Sequence, residues 1–293
     1  MHRSLRSQES GTRLADNYKM KFREFGDSEN PTVIFLHGGG LSWWSLREVI
    51  QYFKKDYHII TPIIEGHGEA GNECFQSIEE SAQHLLCFIN KRCNGHVYAV
   101  AGLSIGAQIA AEVLSLDPEI AEYAVFESGL ACPSKTGACR LITPIVGKSI
   151  GLVRQRWFAK MQAKALNLPE EMFERYFDDS RCITEESLKN MTMSNLNFHL
   201  QNGITKTHAR VLIIAGEKEN NAVLKSAHLL NDTIPHSSLY IARGLKHGEL
   251  SLKFPEQYAE LLRHLFSGDS IDSPREPVKA VSDDILPMIT RVG

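Results

Sequence analysis

No apolar run in this chain approaches the length of a membrane span. The first twenty residues are polar and hold no apolar core of a signal peptide, so secretion is not expected either. No basic block and no interleaving of aromatic with basic residues stands out, which argues against nucleic acid as a partner. The six cysteines, Cys74, Cys87, Cys93, Cys132, Cys139 and Cys182, fit neither a zinc-ligand spacing nor a redox C-x-x-C. They read as reduced thiols of a cytoplasmic protein, with a Cys132–Cys139 disulfide as the alternative. No internal repeat is visible. What remains is an ordinary globular composition, 43% hydrophobic and 23% charged with a formal net charge of −3. The 293 residues could form one large domain or two small ones, with ample material for a full core.

One stretch organises the chain. His96 to Gly102 is apolar, with branched and aromatic side chains, and is bounded by Gly95 and Gly102, the pattern of a buried strand. From Ile105 towards Leu116 small and apolar residues predict a helix, stopped by Asp117-Pro118. Between them lies Gly102-Leu103-Ser104-Ile105-Gly106, a G-x-S-x-G pattern. A strand turning directly into a helix strains and exposes the turn residue, and the flanking glycines remove Cβ atoms that would collide. The turn lifts the Ser104 hydroxyl above the sheet, beside the free N–H groups of the helix N-terminus. Ser104 is therefore expected to be a nucleophile; the plainer alternative is a helix cap.

Strand and helix alternate around this stretch. Strands are expected at Lys21–Phe25, Thr32–Leu36, His58–Pro62, Tyr123–Phe126, Arg210–Gly216 and Ser238–Ala242. Helices are expected at Leu46–Phe53, Ser77–Asn90, Val223–Leu230 and Pro255–Phe266, and Ser77 with Glu80 has capping-box spacing. Such alternation predicts an α/β fold with a mainly parallel central sheet flanked by helices. It lapses after Cys132. Residues 133–206 read as inserted helices, at Lys148–Leu166, Pro169–Phe177 and Thr184–Met193, between core segments 20–132 and 207–266. The first of these carries Lys148, Arg154, Arg156, Lys160 and Lys164, read as a solvated face, with a membrane-surface helix as the alternative. Residues 1–19 read as a flexible extension, with Met20 a candidate natural start, and 267–293 as a loosely held tail.

The Gly38-Gly39-Gly40 loop after Leu36, the Ser104 turn, an acid after the Ile214 strand and His247 after the Ala242 strand all lie at strand ends. In a parallel sheet these ends share one edge, where ligands bind. The arrangement resembles the α/β-hydrolase fold family, in the serine hydrolase subgroup with an inserted helical cap, over about residues 21–266. In that family the order is nucleophile, acid, histidine, which the resemblance maps to Ser104, Glu219 and His247. His247 sits in a glycine-bounded loop, Gly244 to Gly248, able to bring an imidazole to the serine. The family usually has aspartate three residues after a strand-end glycine; here Gly216 is followed at that position by Glu219. Glu127, ending the Tyr123–Phe126 strand, is the alternative acid, because some members keep theirs there.

The resemblance further implies an oxyanion hole from the amides of Gly39 and Ile105, with Gly40 the alternative donor. His37 would buttress this loop. Trp43, Trp44 and Trp157, with Gly40, are candidates to line the substrate pocket, although such aromatics also serve as core. His67 and His84 have no catalytic setting and read as structural or solvated. The implied reaction is acyl transfer to water on a small carboxylic ester, lactone or thioester with an apolar portion, without metal or organic cofactor. A peptidase, a carbon–carbon bond hydrolase and a slow-turnover ligand receptor are the alternatives on the same fold. Oligomeric state is left open.

Overall fold

The computed structural model describes residues 20–133, 150–269 and 271. The expected flexible extension, the start of the first insertion helix, Cys139 and nearly all of the expected tail lie outside these residues.

Seven strands form one sheet: β1 (Phe22–Phe25), β2 (Thr32–Leu36), β3 (His58–Pro62), β4 (Val97–Leu103), β5 (Ala121–Glu127), β6 (Arg210–Gly216) and β7 (Ser237–Ala242). Their order is β1-β3-β2-β4-β5-β6-β7, with β1 antiparallel to β3 and all other neighbours parallel. This is the expected α/β architecture. The continuous apolar runs are explained by burial on both faces. Ile34, Val100, Phe126 and Ile213 pack on one side with helices α2 (Ile78–Arg92) and α3 (Ile105–Leu116). Val33, Phe35, Ala99, Ala101 and Val125 pack on the other with α1 (Arg47–Phe53) and α10 (Pro255–Ser267). Ser77 caps α2 by accepting from the Glu80 N–H at 3.1 Å, as its spacing predicts.

The chain leaves the sheet after β5 and returns at β6. Between lie α4 (Ile150–Val153), α5 (Arg156–Ala165), α6 (Phe173–Ser180) and α7 (Glu185–Asn197). The single helix expected over Lys148–Leu166 is broken, because Gln155 is extended (φ −91°, ψ 125°) and starts α5 afresh. An unbroken helix would hold Val153 and Ala159 about 120° apart around its axis; the break lets both be buried. α7 is fastened to the core ahead of α2. Ser187 Oγ accepts from the Phe75 N–H at 3.1 Å, Ser194 Oγ from the Ile78 N–H at 2.9 Å, and Asn190 Nδ2 donates to the Phe75 carbonyl at 2.9 Å. After β6 come α8 (Asn221–Thr233) and, following β7, the short α9 (Glu249–Lys253), for which the sequence shows no distinct periodic signal.

Candidate active site

β4 turns into α3 at Ser104, the single residue between them, with φ 55° and ψ −113°. A non-glycine residue in this region is strained and is held there only by strong surroundings. The Ser104 N–H donates to the Glu127 carbonyl at 2.8 Å, so β5 secures the turn. The glycines on either side are demanded by space. A Cβ on Gly106 would lie 2.6 Å from the Leu36 carbonyl oxygen and 2.7 Å from that of His37, and one on Gly102 would strike the Gly106 backbone at 2.3 Å. The helix thus starts pressed against the end of β2.

The loops after β6 and β7 are joined to one another. A Cβ on Gly216 would lie 2.5 Å from the Leu245 carbonyl oxygen, which itself accepts from the Lys218 N–H at 2.8 Å. This close approach brings Glu219 to His247, whose Nδ1–H donates to Glu219 Oε2 at 3.0 Å. With the proton on Nδ1, Nε2 accepts from the Ser104 hydroxyl at 3.1 Å. The Gly248 N–H donates to Ser128 Oγ at 3.1 Å and anchors the far side of the histidine loop. Burial presses the His247 imidazolium down, but the hydrogen bond and charge of Glu219, with the Glu127 charge behind, outweigh it and raise the pKa above its ordinary value.

Glu127 is differently employed. It is buried, and its Oε1 accepts from the Ser251 N–H at 3.2 Å in α9 rather than from His247. Burial pushes its pKa up to about 7, with the nearby Glu219 charge adding, against the opposing bonds from Ser251 and the charge of His247.

Gly39, Gly40 and Ile105 line the same cavity as Ser104 and His247, about 460 Å³ in volume. Ile105 opens α3, so its N–H has no acceptor in its own helix. His37 is fully buried. It accepts from the Ile64 N–H on Nε2 at 3.1 Å, leaving the Nδ1 proton to donate to the Gly38 carbonyl at 2.9 Å. Burial, helped by His67, lowers its pKa to about 3 against the bond to Gly38, so the ring is neutral. The Gly39 N–H points opposite to the Gly38 carbonyl across a trans peptide, so His37 also sets the direction of that N–H. His67 and His84 are likewise buried; His84 Nδ1 donates to Glu65 Oε1 at 2.7 Å and the Ser81 hydroxyl to Glu65 Oε2 at 2.8 Å.

The three tryptophans expected at the substrate pocket are elsewhere, and that reading is corrected. Trp44 is buried and donates from Nε1 to Asp179 Oδ2 at 2.6 Å. A buried indole N–H needs an acceptor, and α6 supplies it away from Ser104. Trp43 packs on Phe25, between the Arg23 and Arg175 guanidiniums. Both tryptophans border a separate recess with Glu69 and Asp178. Trp157 is 61% exposed, since Ala159 and Ala163 take the inward face of α5. Among the described residues, the walls from the inserted helices come instead from residues the sequence did not single out, including Gln162, Leu166, Leu188, Met191 and Asn195, together with Tyr176. Neutral residues on inserted helices carry no motif, and nothing but the lapse in strand–helix alternation pointed to their region.

Among the described residues, Cys74, Cys87, Cys93, Cys132 and Cys182 form no disulfide with one another. Among the described residues no helix is long and apolar enough to cross a membrane, and no cluster of His, Cys, Asp or Glu is arranged to hold a metal ion.

The sequence model of the alpha/beta hydrolase family matches residues 33–261. An AB hydrolase superfamily protein of Gibberella zeae is 28% identical over 100 residues, 32% of this chain and 35% of that protein. An uncharacterized hydrolase of Saccharomyces cerevisiae is 35% identical over 78 residues, 25% of this chain and 27% of that protein. The matched stretches thus span about a third or less of these relatives. Among solved structures, a bromoperoxidase from Bacillus anthracis superimposes with TM-score 0.73 at 16% identity, covering 87% of this chain and 98% of that one. A thermophilic esterase from Thermogutta terrifontis superimposes with TM-score 0.69 at 15% identity, covering 85% and 93%. At such identities the likeness is one of fold.

Proposed function

Because the chain belongs to the alpha/beta hydrolase family, we propose that it cleaves a carboxylic ester, lactone or thioester bearing an apolar portion, through Ser104, His247 and Glu219. The observation that carries this reading is the unbroken hydrogen-bonded line from Ser104 Oγ to His247 Nε2 and from His247 Nδ1 to Glu219 Oε2. In this scheme His247 takes the hydroxyl proton as Ser104 Oγ attacks the carbonyl carbon, and Glu219 stabilises the resulting imidazolium. The N–H groups of Gly39 and Ile105, with Gly40 beside them, hold the oxyanion. His247 then returns the proton to the leaving group, and water repeats the cycle on the acyl-enzyme, with no cofactor in the scheme.

The helices of residues 133–206 serve as a cap that gives the cavity its largely apolar wall and limits the entry of water. The partner is a small molecule, and the thiol usage supports the cytoplasm as the compartment. The test is labelling by a fluorophosphonate together with hydrolysis of p-nitrophenyl esters, both lost in Ser104→Ala. Labelling that survives that substitution, or a folded parent that neither labels nor turns over, overturns the reading.

A further inference from the structure

The cavity beside Ser104 has apolar walls, with Val153, Leu166, Ile183, Leu188 and Met191 among them. Its polar lining is neutral apart from His247: Ser180, Thr192, Tyr176, Gln162 and Asn195. Most of these groups are already engaged. The Ser180 hydroxyl donates to the Phe177 carbonyl at 2.9 Å and the Thr192 hydroxyl to the Leu188 carbonyl at 2.8 Å, each within its own helix. The Tyr176 phenol donates to Gln162 Oε1 at 3.4 Å. Burial pushes that phenol up to about 12, so it stays a donor throughout the working range of pH.

In this arrangement the Oε1 edge of the Gln162 amide faces the phenol, and the Nε2 edge is turned away from it. A phenol O–H on Oε1 leaves the two N–H groups of Nε2 as the unsatisfied end. Nε2 has no protein partner among the described residues, while its side chain is half-buried in the cavity wall. The Asn195 side chain also borders the cavity, but no bond among the described residues sets its amide direction. An oriented donor in an otherwise apolar wall favours an acceptor oxygen on the ligand. Among the described lining residues there is no Lys or Arg, so a carboxylate on the same part of the ligand would be desolvated without a cation.

We propose that Gln162, oriented by Tyr176, is a specificity-determining residue that binds an uncharged acceptor oxygen, such as a ketone or ester carbonyl, on the apolar arm of the substrate. The assignment rests on the ester-hydrolase reading above and narrows it to neutral, oxygen-bearing acyl chains.

The experiment compares methyl hexanoate, methyl 4-oxohexanoate, methyl 5-oxohexanoate and monomethyl glutarate, with methanol release as the readout, for the parent, Gln162→Leu and Tyr176→Phe. The informative quantity is the kcat/KM ratio of the better oxo ester to methyl hexanoate, since a general loss of activity cancels in it. The parent ratio is expected to be about tenfold, the worth of one good hydrogen bond, and monomethyl glutarate should be the poorest substrate. Gln162→Leu should bring the ratio to near one, and Tyr176→Phe, which frees the amide to turn, should reduce it severalfold. Circular dichroism checks folding of each variant. A parent ratio near one, a ratio unchanged in Gln162→Leu, or monomethyl glutarate turned over as well as the neutral esters overturns the assignment. Fluorophosphonate labelling of Ser104 separates the two levels. Labelling with flat ratios removes only the role of Gln162, whereas no labelling and no turnover in the folded parent removes the hydrolase reading with it.

Discussion

Glu219 Oε2 accepts from His247 Nδ1 at 3.0 Å, while the second carboxylate near that imidazole, Glu127, accepts instead from the Ser251 N–H. Two acids therefore act on one histidine, one by contact and one by charge through the protein. Their substitutions should separate. Glu219→Gln removes the charge that stabilises the imidazolium and lets an amide N–H face Nδ1, which favours the wrong tautomer, and turnover should fall by about 10⁴, as for the equivalent change in a serine protease. Glu127→Gln keeps an acceptor for Ser251 and should cost less than about tenfold. Ester hydrolysis by the two folded variants decides it; the reverse ranking would assign the orienting role to Glu127.

The pH dependence follows from the direction of the His247 shift. Its pKa is raised above the ordinary 6.5, because the bond and charge of Glu219 outweigh burial. In the proposed mechanism it acts as a general base and must be neutral, so kcat/KM should fall on the acid side with a midpoint above 6.5. In Glu219→Gln that midpoint should move down, because the Glu219 charge, which with its bond outweighs burial, is gone while burial remains. A midpoint unmoved by the substitution would mean that the acid limb reports another group.

Glu127 makes a separate prediction about stability. Its folded pKa is pushed up to about 7 by burial, from an ordinary value of 4.5. Between these values the folded chain holds a proton that the unfolded chain has lost, so this group's contribution falls as pH rises through the window. The Glu127→Gln variant cannot titrate there. Its melting temperature relative to the parent should therefore be more favourable at pH 8 than at pH 5. A difference that is flat or of opposite sign would show that Glu127 ionises normally in the folded protein.

Space rather than chemistry governs the turn at Ser104. A methyl on Gly106 would lie 2.6 Å and 2.7 Å from two backbone carbonyl oxygens at the end of β2, and backbone yields less readily than a side-chain tip. Gly106→Ala should cost about 1–3 kcal/mol in urea unfolding, in the range of overpacked cores. It should also depress ester hydrolysis, because the displaced segment leads directly into Gly38-Gly39-Gly40. Full stability with full activity would mean that α3 can retreat from β2.

Legibility in the sequence followed the size of the local constraint. Buried parallel strands must be apolar on both faces, so β2, β4 and β6 announced themselves as continuous runs between turn residues. Ser104 was legible because a strand turning at one residue into a helix needs glycine on both sides, and His247 because a glycine-bounded loop follows the last strand. The choice between Glu219 and Glu127 was not. It depends on how closely the Gly216 and Leu245 loops approach, a contact between segments far apart in the chain. The tryptophans misled for a related reason. The break at Gln155 resets the helical phase, so the spacing of Trp157 in the sequence does not reveal which way it faces. Trp44 was drawn to an acceptor on α6, a partner 135 residues away.

That correction changes which substitutions should alter selectivity. Trp157 is 61% exposed and packs edge-on against Phe158, with no place in the cavity wall. Trp157→Ala should leave the preference among acyl chain lengths unchanged. Leu188 is half-buried on α7 and lines the cavity, on the helix held to the core by Ser187, Asn190 and Ser194. Because α7 is tied at three points, added bulk there cannot be relieved by swinging the helix outward and must project into the space for the acyl chain. Leu188→Trp should therefore lower kcat/KM for p-nitrophenyl octanoate relative to the butyrate by about tenfold or more, the scale of losing room for a methylene or two. Fluorophosphonates with short and long alkyl chains, reacting directly with Ser104, should show the same discrimination in labelling rate. If Trp157→Ala changed the octanoate-to-butyrate ratio and Leu188→Trp did not, α5 rather than α7 would be the wall that measures the chain.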